Sequence, residues 1–98
     1  MIIVIGSVNA RPDALDEVLR LSLEHVDRSR REPGCVRHSV HRDVEDPNHL
    51  VFVEHWDGRE ALDEHFRLAP SRAFAKTVTQ LATRPPSIEI YEAEPVTF

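Results

Sequence analysis

The sequence predicts an α+β domain in which helices cover one face of a four-stranded antiparallel sheet. Three observations lead there. Segments with strand-like and helix-like apolar spacing follow one another in the order β-α-β-β-α-β. Turn-forming clusters separate them, at Arg11-Pro12-Asp13, Pro33-Gly34, Asp46-Pro47-Asn48, Asp57-Gly58 and Arg84-Pro85-Pro86. The chain has 98 residues and no internal linker, repeat or low-complexity stretch, so residues 1–98 form one domain. This element order is the ferredoxin-like plan.

Ile2 to Ala10 is rich in β-branched residues and reads as a strand near the centre of the sheet. Pro12 suits a first helical position, and Asp13, Asp16 and Glu17 put negative charge at the positive end of a helix dipole. Leu15, Val18, Leu19, Ser22 and Val26 recur at three and four, giving one apolar stripe. Pro33-Gly34 ends this helix at about Glu32. Cys35 to Asp43 alternates, with Val36, His38 and Val40 on one face and Arg37, Ser39 and His41 on the other. The turn at Asp46-Pro47-Asn48 makes a hairpin with Leu50 to Asp57. On that return strand Leu50, Phe52, Glu54 and Trp56 share one face, opposite Val51, Val53 and His55.

After Asp57-Gly58 a helix presents Ala61, Leu62, His65, Phe66 and Ala69 inward. Pro70 breaks it and opens another, Ser71 to Thr83, with Phe74, Val78 and Leu81 inward. Ile88 to Val96 is the last strand. The second sheet face, apolar at Val51, Val53 and Ile3 or Ile5, has no helix left to cover it. Such a face on a small domain implies a face-to-face homodimer.

A net charge of −5 without any Lys/Arg cluster argues against a nucleic-acid or anionic-membrane surface. An RNA binder on the same plan would also need exposed strand aromatics for base stacking. No apolar run approaches the ~20 residues that span a bilayer. The apolar Met1 to Ile5 lacks a basic leader and a cleavage site, so a cytoplasmic protein is expected. Cys35 is the only cysteine, which leaves no intramolecular disulfide. It follows a turn with no activating neighbour and reads as a packing residue.

Three runs together resemble one known family. They are Gly34-Cys35, Phe52-Val53-Glu54-His55-Trp56, and Glu60-Ala61-Leu62-Asp63-Glu64-His65. The pattern resembles the antibiotic biosynthesis monooxygenase (ABM) domain and spans essentially the whole chain. The resemblance implies a dimeric α+β barrel with one pocket per subunit between sheet and helices. Members include cofactor-independent oxygenases of quinols and anthrones, a haem-degrading branch, and proteins without established activity. Trp56 sits at the family's strand-three aromatic, and His65 at its helix-two histidine. Asn9 resembles the asparagine of the haem-degrading branch, and His38 stands where many relatives have a tyrosine. Phe52 stands where one oxygenase branch has an asparagine, a departure from the anthrone-type pattern.

Oxygenation without metal or flavin requires a substrate anion that itself gives an electron to dioxygen. The protein then supplies a general base, an oxyanion donor and a dry pocket. The candidate catalytic residues are His65 as base, Trp56 as ring wall and indole N–H donor, and Asn9 to hold oxygen. The plainer roles are a histidine bonded to the sheet, a core aromatic and a strand-end turn residue. His38, Phe52, Glu54, Leu62 and Phe66 are the expected substrate-binding residues. Glu54 lies between two aromatics and needs a partner, His38 or an arginine. Convergence of His38, Glu54 and His65 would suit non-haem iron, but their spacing matches no ligand signature, so no metal is expected. His25, His41, His49 and His55 are expected at the surface or an interface. The expectation is therefore a cofactor-independent monooxygenase acting with dioxygen on a small aromatic compound. The alternatives are a haem-binding or haem-degrading protein and a non-catalytic ligand-binding dimer.

Overall fold

The computed structural model describes residues 1–98. Strands β1 (Ile2–Asn9), β2 (Cys35–Arg42), β3 (His49–Trp56) and β4 (Ser87–Glu92) form one sheet in the order β2-β3-β1-β4. Every neighbouring pair is antiparallel. Helices α1 (Leu15–Ser29), α2 (Arg59–Arg67) and α3 (Ala69–Gln80) complete the domain. Strand β3 lies between β1 and β2, so the β1-α1-β2 connection is a split crossover, as the ferredoxin-like plan requires. No helix is long and apolar enough to cross a membrane.

Alternation along the strands sets the two faces. Ile2, Val4 and Val8 of β1 and Leu50, Phe52, Glu54 and Trp56 of β3 are buried beneath the helices. Ile3, Ile5, Val51 and Val53 face the other way and are half-buried, with no helix over them. Helix α1 buries Val18, Ser22, His25, Val26 and Ser29, a stripe at helical spacing. The main core joins that stripe to the sheet through Val8, Val18, Val26, Leu50, Phe52 and Val78. A second cluster of Ile2, Val4, Trp56 and Leu62 seats α2. Each large apolar side chain in these clusters contributes roughly 1.5–3 kcal/mol.

Several boundaries and directions depart from expectation. A 3₁₀ turn over Pro12–Ala14 precedes α1, which begins only at Leu15. Val36 was expected to share a face with His38, yet it is 58% exposed. A bulge explains this: pairing passes from Cys35↔Trp56 to Arg37↔His55 and leaves Val36 without a partner. The break between α2 and α3 falls at Leu68, whose backbone is extended (φ −66°, ψ 135°). Pro70 instead sits in the first turn of α3, where its missing N–H leaves no bond unmade. Ala69 thus starts a new helix, leaves the α2 stripe and is exposed; Phe66, 40% exposed, sits at the edge of that stripe. The last strand stops at Glu92, and all its residues are exposed because it is an edge strand without a covering helix.

Candidate active site

Between the sheet and helices α2 and α3 lies a cavity of about 310 Å³. Its wall includes His25 of α1, Phe52 and Glu54 of β3, His65 and Phe66 of α2, and Phe74 of α3. Glycine at position 6 leaves room on the β1 side, since it too lines this space. The lining is mostly apolar, with a few ionisable groups converging at one end.

His65 is only 3% exposed, held inward by the α2 stripe. Its Nδ1 is 2.8 Å from Oε1 of Glu32, and Ser71 Oγ lies 3.5 Å from the same nitrogen. A carboxylate can only accept, so Nδ1–H donates to Glu32 and the neutral ring carries its lone pair on Nε2. Glu32 reaches it from the short connection between α1 and β2.

Behind this pair sits a second one. His38 is 1% exposed and directly opposite Glu54 in the β2–β3 ladder. Its Nε2 lies 3.4 Å from Glu54 Oε1, close enough for an ion pair but too poorly aligned for a hydrogen bond. Neither ring nitrogen of His38 has any other partner. Leaving such a group unsatisfied costs about 1–3 kcal/mol. The indole N–H of Trp56 donates to Glu54 Oε1 at 2.9 Å. Burial pushes the Glu54 carboxyl up, but His38 and the Trp56 N–H outweigh it and hold the group below its ordinary range.

His25 completes the arrangement. It stacks on Phe74 with ring centres 4.1 Å apart, and Arg28 Nη2 lies 3.3 Å from its Nδ1. Burial first, then the neighbouring His38, His65 and Arg28, lowers its pKa to about 3, so it is a neutral imidazole at pH 7. The three rings form a triangle with centres 5.2, 5.3 and 5.6 Å apart.

Of the residues expected at the site, His65, Phe52, Glu54 and Phe66 do line the cavity. His38 lies one layer behind, paired with Glu54 as the need for a partner predicted. Trp56 is fully buried and spends its N–H on Glu54; its ring, 4.6 Å from that of His65, backs the histidine and cannot wall a substrate. Leu62 belongs to the core around Ile2, Val4 and Trp56. Asn9 is a correction on two counts. It pairs with His49 at the far end of the ladder from Trp56, about 20 Å along the strand, and it follows Val8 onto the helix-free face. There its side chain contacts His49 at 3.0 Å.

His25, expected at the surface or an interface, is a second correction: it is buried inside the chain. A sequence signal existed, because it lies three after Ser22 and seven after Val18, on the buried stripe. Glu32 marked only a helix end in the sequence, and nothing local links it to His65, 33 positions away. Cys35 packs beside the second core cluster, where burial pushes its thiol up.

Comparison with known proteins agrees with this architecture. The model of the antibiotic biosynthesis monooxygenase family matches residues 1–77. An uncharacterized protein of Synechocystis, sll1783, is 35% identical over 91 residues, 93% of this chain; the chain spans 62% of that relative's length. A crystal structure of an antibiotic biosynthesis monooxygenase superposes with a TM-score of 0.90 at 32% identity, covering 97% of this chain and 100% of that one. A candidate member from Deinococcus radiodurans gives 0.94 at 26% identity, covering 100% and 97%. From β1 to α3, and with the same fold over its whole length, the chain belongs to the antibiotic biosynthesis monooxygenase family.

Proposed function

We propose that this chain is a cytoplasmic, homodimeric monooxygenase that oxygenates a small quinol-like aromatic compound without a bound cofactor. One observation supports this above others: a buried histidine, oriented by a carboxylate, faces a mostly apolar cavity that three phenylalanines line. A cavity of about 310 Å³ is at the small end of ligand sites and suits one or two fused rings. In the proposed reaction His65 Nε2 takes a phenolic proton, and Glu32 steadies the imidazolium through Nδ1–H. The substrate anion then gives an electron to dioxygen. Carbon–oxygen bond formation follows; the product gains one oxygen and loses two hydrogens, and the second oxygen leaves as water. The substrate supplies all the electrons.

Haem suits these residues poorly. Asn9 lies on the other sheet face, and a cavity of about 310 Å³ is small for a porphyrin. Pairing of two copies through Ile3, Ile5, Val51 and Val53 would cover the helix-free face.

The test is oxygen uptake by chelator-treated protein against dihydroxynaphthalenes and quinols, with His65→Ala beside it. Uptake that survives chelation and falls about 10²-fold or more in the variant is expected. Binding of a naphthol without any uptake would move the reading to a non-catalytic ligand-binding protein.

A further inference from the structure

The three imidazoles do more than supply one base. We infer that His25, His38 and His65 form a capture site for one divalent transition-metal ion of the Zn²⁺ type. One ring nitrogen from each residue lies within 4.8 Å of the others, and all three side chains are buried. With metal–nitrogen bonds of about 2.0–2.1 Å, a tetrahedral ion holds three imidazole centres roughly 5.2 Å apart. The observed separations are 5.2, 5.3 and 5.6 Å. The rings are inclined to one another by 76°, 50° and 58°, so they do not stack and their edges can converge. Side-chain rotation draws the nitrogens in to the spacing of about 3.4 Å that such an ion needs.

The surroundings fit a dication. His38 is enclosed with both ring nitrogens free of hydrogen bonds, a state that buried polar groups rarely keep without an ion or water. Glu32 holds Nδ1–H of His65 and frees Nε2, the carboxylate–histidine arrangement that orients metal ligands. Glu54, 3.4 Å from His38, brings a second negative charge, so the two carboxylates balance one divalent ion. The long Arg28 contact to His25 Nδ1 must yield or stay on the outer nitrogen; Arg30, bonded to the His38 carbonyl, and Arg72, in the cavity wall, are the other nearby cations. Three imidazoles are a donor set for Zn²⁺, Co²⁺, Ni²⁺ or Cu²⁺ rather than Mg²⁺ or Ca²⁺. By taking the Nε2 lone pair of His65, the ion would silence the base; that consequence alone rests on the oxygenase reading.

Cobalt titration of chelator-treated protein tests the site directly. One equivalent of Co²⁺ per chain should give the intense visible bands of a tetrahedral ion, bleached by Zn²⁺. X-ray absorption of the zinc form should count three imidazoles, a readout that needs no variant. His25→Gln and His38→Gln, checked for fold by circular dichroism, should each weaken binding at least tenfold, and Glu32→Gln about 10–100-fold. His41→Gln, at the exposed face of β2, should leave it unchanged. Only weak octahedral cobalt bands, fewer than three imidazoles, or affinity indifferent to His25 and His38 would overturn the inference. None of these readouts uses oxygen uptake, so the site and the proposed reaction fail separately.

Discussion

Substituting Gly34 by alanine should unfold much of what positions His65. Gly34 has φ +82°, a conformation that costs an L-residue roughly 1–2 kcal/mol. A Cβ there would lie 2.5 Å from Ala61 Cβ and 2.6 Å from Asp57 Oδ1, well inside contact distance. The exposed Asp57 carboxylate can rotate away, but Ala61 Cβ cannot, because Ala61 precedes Leu62, which is locked among Ile2, Val4 and Trp56. Overpacking of this kind adds about 1–3 kcal/mol. The expected total is therefore about 2–5 kcal/mol, a large share of a small domain's stability. Urea unfolding at fixed protein concentration should show the midpoint lowered by about 1 M or more. Ala61→Gly in the same background removes the nearest clash and should return part of the loss, beyond its own helix cost of about 1 kcal/mol. A Gly34→Ala protein within about 0.5 kcal/mol of wild type would refute the geometry of this junction.

Acid should destabilise the metal-free protein in two stages. His25 is depressed to about 3, so the unfolded chain binds the extra proton first, and stability falls as pH drops from about 6.5 toward 3. At pH 5 that loss is roughly 2 kcal/mol, readable as the difference in pH slope between wild type and His25→Phe. Glu54, also depressed, adds a loss of the same sign only below its unfolded value near 4.5. Gly6→Leu should fill the cavity at little cost, because a Cβ there meets only ordinary contacts at 3.7 and 3.8 Å. Naphthol binding should vanish while the melting temperature holds; retained binding would displace the site. Val53→Asp, on the helix-free face opposite Ile5, should give folded monomers by analytical ultracentrifugation. Dimers that persist would place the interface elsewhere.

Much of the fold was legible because its signals are local. Apolar spacing named every strand and helix, and the parity of β3 already set Phe52, Glu54 and Trp56 on the covered face. The same parity rule, carried through β1, would have turned Asn9 outward with Ile3 and Ile5. The errors came where one residue changes a count: the bulge at Val36, and the early break at Leu68 that released Ala69. A period cannot be read across an interruption it does not itself encode.

The sequence by itself determined the element order, the apolar second face, and His65 and Glu54 as inward-facing ionisable groups. Only the tertiary structure decided what those groups meet. Glu32 to His65, His38 to Glu54, and the convergence of His25 with both join residues from separate elements. Such pairings depend on how α1, α2 and the β2–β3 hairpin come together around the core. No local propensity carries that distance, because side-chain chemistry at one position says nothing of which distant partner packing will bring to it.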